Sequence, residues 1–257
     1  MATGNWNEAD FIPYQAASRC PPGPALVLAP HPDDETFGCA GAILCHLEAG
    51  DRVSVVIATD SDYGHFQPGE EGCQVRRREA EAAAAVLGYG SPVFWGLADR
   101  GLAYGEGLIG RVLEAIDHSK AALLYAPSFW EIHPDHQVVA RAAVEAIRRS
   151  ARPVTLAMYE VGVPLHPNLL LDITPLAARK QAAMDCYLSQ LRIQRYDRHV
   201  SALNLFRTYT LPASVESAEA FRLLDAQELR RWPAGAMGPE IYYGQDPARR
   251  HLLPRED

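Results

Sequence analysis

The chain has 257 residues, 48% of them apolar and 22% charged, with a formal net charge of -8. That length and apolar content suffice for one large α/β domain with a substantial core. The acidic balance excludes a general nucleic-acid-binding face, which needs basic residues to meet phosphates.

The residues before position 25 show no basic stretch followed by an apolar run, so no secretory signal is expected. Ala25–Pro30 then reads as a buried strand. Glu35–Ala49 has a helical pattern stopped by Gly50. Arg52–Thr59 is β-branched and apolar, a second strand. Val75–Leu87 is a helix ended by Gly88, and Pro92–Leu97 a third strand. Leu108–His118 predicts a helix, Ala121–Ala126 a fourth strand and Pro134–Arg149 another helix. Val154–Val161 and Leu169–Ile173 are further strands, followed by one long helix over Pro175–Gln190. Beyond Arg195 the pattern is less regular, with a helix expected around Ala218–Leu224 and a Pro- and Gly-rich surface or lid segment from Trp232 to Tyr243. No run reaches the roughly 18 apolar residues of a membrane span.

Strands alternating with helices of 10–15 residues imply right-handed βαβ units and a mostly parallel sheet, with ligands bound beyond the carboxyl ends of its strands. Cys20, Cys39, Cys45, Cys73 and Cys186 are odd in number and form no Cys-x-x-Cys pair. Neither a disulfide framework nor a four-cysteine structural zinc site is expected, and reduced thiols suit the cytoplasm.

Two clusters fall in strand-to-helix connections: His31-Pro32-Asp33-Asp34-Glu35 and His133-Pro134-Asp135-His136. Proline suits the first helical position, where its missing N–H would be unpaired anyway. With Pro32 and Pro134 there, His31 and Asp34 share one side of a first turn, as do His133 and His136. Imidazole and carboxylate donors suit zinc, which in catalytic sites keeps three protein ligands and an open position. The donor pool is His31, Asp33, Asp34, His133, Asp135 and His136. Three ligands would leave three groups for proton transfer and support. A single His-Pro-Asp would be read as a capped helix start; two on one sheet edge are hard to explain by capping.

At these residues the chain resembles the LmbE/PIG-L family of zinc-dependent N-deacetylases. Pro30 stands where that family usually has alanine before the first motif, and the second motif is intact. Gly38 and Gly41, Arg76-Arg77-Arg78-Glu79, Asp172-Ile173-Thr174, Lys180 and Ser189-Gln190 resemble its later segments, with Tyr187 where a histidine is frequent. The similarity runs from about residue 25 to about 190. It implies a single domain with a Rossmann-like three-layer fold and a mostly parallel central sheet, its core at about 25–195 and an irregular extension over 196–257. It implies one Zn2+ per chain, or another divalent metal in its place, held by His31, Asp34 and His136, with Asp33 as general base. His133 would be general acid and help polarise the tetrahedral intermediate, and Asp135 would hold the His133 ring and favour its charged form. Arg76 would reach substrate hydroxyls or a phosphate. The substrate would be a small N-acyl amino sugar or its conjugate, with no nucleic-acid or integral-membrane partner, and the resemblance allows a homo-oligomer.

Other polar residues are weaker candidates. Asp60, Asp62, His65, Glu160 and His166 could stand at the rim; Arg77 and Arg78 read as surface or ion-pairing residues, and His46 and His118 as surface or packing residues. Two histidines and a carboxylate also form the facial triad of non-haem iron oxygenases, but those enzymes commonly use an antiparallel barrel. A sugar-binding protein with a relic site is the non-enzymatic alternative; the full set of ligands, acid and base argues against it.

Overall fold

The computed structural model describes residues 8–10 and 12–232. Its centre is a seven-stranded sheet in the order β3-β2-β1-β4-β5-β7-β6. The strands are β1 (Ala25–Ala29), β2 (Val53–Thr59), β3 (Val93–Leu97), β4 (Leu123–Pro127), β5 (Thr155–Tyr159), β6 (Leu169–Asp172) and β7 (Ala218–Leu224). The first five pair in parallel, while β7 runs antiparallel to both β5 and β6. β1 and β4 are buried at every position, as strands covered on both faces must be.

Helices cover the two faces. Val27, Val55 and Ile57 point into one core with residues of α1 (Asp34–Glu48), α2 (Gly72–Leu87), α5 (Ala177–Met184) and α7 (Tyr196–Phe206). Leu26, Leu28 and Val56 point into the other with residues of α3 (Glu106–Ser119), α4 (Pro134–Arg149) and α8 (Ala226–Arg231). The expected three-layer, mostly parallel α/β fold is therefore present. No described helix is long and apolar enough to cross a membrane.

α1 is the pivot of the site, and it is buried from Asp34 to His46. Gly38 and Gly41 explain how other elements approach it so closely. A Cβ at Gly38 would lie 2.4 Å from the Tyr159 ring, and one at Gly41 2.3 Å from Ile173. The Glu219 carboxylate reaches this helix, accepting the N–H groups of Gly41 at 2.7 Å and Ala42 at 2.8 Å. Lys180 Nζ pairs with Glu219 at 2.8 Å and donates to Phe37 O at 2.9 Å. This buried pair ties α1 to α5 and β7.

Three expectations are corrected. Residues 218–224, rich in the helix formers alanine, leucine and glutamate, form β7. The open hydrogen-bonding edges of β5 and β6 on either side override local propensity. The extension beyond 195 is thus not irregular where it is described, because α7, β7 and α8 complete the sheet and its cover. The long helix over 175–190 is broken into a 3-10 turn (Thr174–Leu176), α5 and α6 (Leu188–Leu191). The break carries Tyr187 inward, where it is fully buried and donates to Glu35. The segment expected as a lid lies, after Trp232, outside the described residues.

The third correction concerns the start of α1. Pro134 is the first residue of α4, as expected, but Pro32 is not a helix start. α1 begins at Asp34, and Asp33 precedes it with φ 130° and ψ -32°, a region that favours glycine. The surroundings hold it there: Asp33 N–H donates to Glu35 Oε2 at 3.1 Å, and Asp33 O accepts from Thr36 and Phe37. Such a backbone stores about 1–3 kcal/mol. Asp33→Gly is therefore expected to be more stable than Asp33→Ala by about 1–2 kcal/mol. Both variants lack the carboxylate, so denaturant unfolding of the pair isolates the backbone; a more stable alanine variant would mean no strain is stored.

Candidate active site

In this sheet the chain order reverses between β1 and β4, and the two motifs follow those two strands. The crevice at such a switch point is where ligands bind in open α/β sheets. Here it opens into a cavity of about 620 Å³ lined by His31, Asp33, Asp34, His133 and His136 among others.

Three donor atoms converge at its floor. His31 Nδ1 lies 3.2 Å from Asp34 Oδ2, His136 Nε2 lies 3.1 Å from the same oxygen, and the two ring nitrogens are 3.3 Å apart. A zinc ion about 2.0–2.2 Å from each of three tetrahedral donors requires donor separations of about 3.3 Å. The triangle and its donor chemistry fit that ion. His133 also brings a ring nitrogen within 4.8 Å of His31 and His136, but it stands outside the tight triangle.

The far nitrogens of both ligand histidines face carboxylates. His31 Nε2 lies 3.2 Å from Asp99 Oδ1 and 3.3 Å from Asp135 Oδ2. His136 Nδ1 lies 3.6 Å from Glu131 Oε2. Carboxylates placed behind metal-binding imidazoles fix the tautomer and the ring orientation. Burial alone would push the His31 ring down, but Asp135, Asp34 and Asp99 outweigh it and raise it to about 11 in the metal-free site. For His136 burial is likewise outweighed, here by Asp34 and Glu131, which raise it to about 9. Asp34 is held well below the carboxylate range by His136 and His31 in spite of its burial.

Asp99 and Glu131 had no place in the sequence expectation. Asp99 follows β3, and its other oxygen accepts from Ser61 Oγ at 2.6 Å. Glu131 also accepts the N–H groups of Val161 and Gly162 through Oε1, at 2.7 and 3.1 Å, so it fixes the loop after β5 against the site. Glu131→Gln should weaken zinc binding about 10–100-fold, measured by chelator competition. Unaltered affinity would show that the charge behind His136 does not matter.

Asp33 stands beside the triangle. Burial pushes its carboxyl up to about 7, against the opposing pull of Arg76, with Asp34 adding to the rise. Arg76 differs from expectation. It is buried, and its Nη2 donates to Asp33 Oδ2 at 2.9 Å and to Pro32 O. Its Nη1 donates to Ser61 Oγ at 2.9 Å and Tyr63 O at 3.1 Å. Arg76 thus clamps Asp33 and leaves Oδ1 without a hydrogen bond among the described residues.

Asp135 also departs from expectation. Its carboxylate meets His31 and accepts the N–H of Arg100 at 2.7 Å. The His133 ring instead caps α4, with Nδ1 accepting the Asp135 backbone N–H at 3.2 Å. A neutral His133 therefore carries its proton on Nε2. Burial and the neighbouring His31 and His136 lower its pKa, and the opposing effect of Asp135 does not prevail.

The rim candidates separate cleanly. Asp60 is held by Arg77 at 2.7 Å, and neither it, Asp62 nor His65 lines the cavity, whereas Ser61 and Tyr63 do. Glu160 is bound to buried Arg207, and the His166 ring packs edge-on to Trp130. His46 is a packing residue between Asp51 and Tyr125, and His118 is exposed. One wall comes from α7 and the turn before it, through Gln194, Tyr196, His199, Val200 and Leu203.

Residues 26–147 match the family described as PIG-L: GlcNAc-PI de-N-acetylase. That match spans both His-Pro-Asp motifs, from β1 into α4. A probable N-acetyl-alpha-D-glucosaminyl L-malate deacetylase 2 of Bacillus subtilis is 29% identical over 182 residues, covering 64% of this chain and 82% of its own. The N,N'-diacetylchitobiose deacetylase of Pyrococcus horikoshii superposes with a TM-score of 0.72 at 22% identity, over 82% of this chain and 87% of that one. The 4-carboxy-2-hydroxymuconate hydratase GalB of Pseudomonas putida superposes with a TM-score of 0.68 at 21% identity, over 79% and 96%. The fold is thus shared by deacetylases and a hydratase, and the chemistry of this chain must be argued from its site.

Proposed function

We propose that this chain is a zinc-dependent N-deacylase that hydrolyses the amide, in the first instance an N-acetyl group, of an amino sugar or its conjugate in the cytoplasm. The observation that carries this reading is the division of the site: a three-donor triangle of His31, Asp34 and His136, with Asp33 and His133 beside it and outside it. The match to the PIG-L family and the deacetylases among the similar proteins support the choice of an amide.

Zinc bound at the triangle would supply Lewis acidity toward the acyl carbonyl and lower the pKa of a water there to about 7. Asp33, clamped by Arg76 through Oδ2, takes a proton from the attacking water with Oδ1. Burial disfavours its charged form, so it can hold that proton while the new C–O bond forms. His133 offers Nε2–H to the carbonyl oxygen as negative charge builds there. The C–N bond then breaks, and the proton held on Asp33 passes to the departing nitrogen, which cannot leave as an amide anion. The acid so formed gives up the second proton of the water to the amine, and the products are a carboxylate and an ammonium group. This keeps the polarising role that the sequence suggests for His133 but moves protonation of the amine from His133 to Asp33. A neutral imidazole with a lowered pKa is a better hydrogen-bond donor than proton source.

Amine release from a panel of N-acetyl amino sugars and their glycosides tests the reading. Turnover should require added zinc and stop on chelation. A zinc-loaded protein that releases no amine from any member would overturn it.

A further inference from the structure

Among the described residues two arginines line the cavity, and only Arg76 has its guanidinium hydrogen-bonded to the protein. Arg76 is buried, with both terminal nitrogens bound to protein oxygens. Arg100 is exposed, and among the described residues its guanidinium has no carboxylate partner. It lies over the Tyr63 ring, 5.9 Å from the centroid. Its backbone is held in the left-handed region, φ 55°, where its N–H donates to the Asp135 carboxylate. That carboxylate also meets His31, so the segment that presents Arg100 is tied to the floor of the site.

We infer that Arg100 determines specificity by binding an anionic group, a carboxylate or a phosphate, on the amino-sugar conjugate. The inference rests on the deacylase reading above. A guanidinium matches either anion with two parallel hydrogen bonds. Stacking on Tyr63 restricts the side chain before the ligand arrives, so less freedom is lost on binding. The other cavity arginine does not compete for the anion, because it is buried and both of its terminal nitrogens are bound to protein oxygens.

The test compares the zinc-loaded wild type with Arg100→Ala and Arg100→Lys on three substrates. These are the methyl glycoside of N-acetylglucosamine, N-acetylglucosamine 1-phosphate and an N-acetylglucosaminide of a hydroxy acid. Arg100→Ala should raise KM at least tenfold more for one or both anionic substrates than for the neutral one, with kcat less affected. Lysine should restore part of the loss, and added salt should narrow the gap. A loss confined to one anionic substrate assigns the phosphate or the carboxylate as the ligand. Equal losses on all three substrates, or none, would overturn the inference and leave the deacylase reading standing. A wild type that releases no amine from any of the three would defeat that reading and the inference with it.

Discussion

Asp33→Asn will lower kcat for amide cleavage by about 10²–10⁴-fold, the usual contribution of a positioned acid–base group, with zinc still bound. Asparagine keeps the shape and can still accept from Arg76, and none of the three donors in the triangle is altered. The carboxylate that takes a proton from water and returns it to the amine is gone. The wild type should also show an acid limb that the variant lacks. Asp33 must be ionised to act as base, and burial raises its carboxyl to about 7. A bound cation beside it favours the ionised form and lowers that value. The kcat/KM of the wild type should therefore fall as pH drops through a pKa at or below about 7. A profile of the same shape in both proteins would remove Asp33 from the proton path.

His136→Ala should abolish turnover by a different route, loss of the metal. It removes one of three donors and leaves Asp34 Oδ2 without one of its two imidazole partners. Metal analysis separates the two variants: the asparagine variant keeps zinc and the alanine variant does not. The site also predicts the pH dependence of binding. In the metal-free protein His31 is raised to about 11 and His136 to about 9, so below pH 9 both rings are protonated. Zinc must displace those protons, and its apparent affinity should weaken by as much as about 100-fold per unit as pH falls. Titration of the metal-free protein at several pH values, with proton release measured, checks both sign and stoichiometry. Binding independent of pH would mean that the two rings are neutral before the metal arrives.

The parts of the site legible in the sequence are those encoded locally. His31 and Asp34 meet because they are three residues apart across a tight turn, and α4 begins at Pro134 because proline belongs there. Placing both motifs at one switch point needed only the alternation of strands and helices. What was hidden depends on contacts between distant segments. Asp99 and Glu131 are single acids in loops, and nothing near them announces a role. The available signal was position, since Asp99 lies just past β3 and Glu131 two residues before His133, both beyond carboxyl ends of parallel strands. Asp135 sits two residues from His133 in sequence, yet its carboxylate turns to His31 because Arg100 N–H draws it that way. Arg76 was legible as a helix residue near the site, but not as the clamp on Asp33. The φ of 130° at Asp33 could not be read from residue type, because aspartate is held there by Glu35 and the start of α1 rather than by its own preference. β7 was hidden by composition: its helix-forming residues are strand only because two sheet edges wait for them.

The most direct test of the account is to run the zinc-loaded protein in H2(18)O with an N-acetylglucosamine conjugate and weigh both products. Each turnover should release one amine and one acetate, with one solvent oxygen in each acetate and no consumption of dioxygen. Turnover that leaves the amide intact, by adding water to a double bond or by consuming dioxygen, would contradict it.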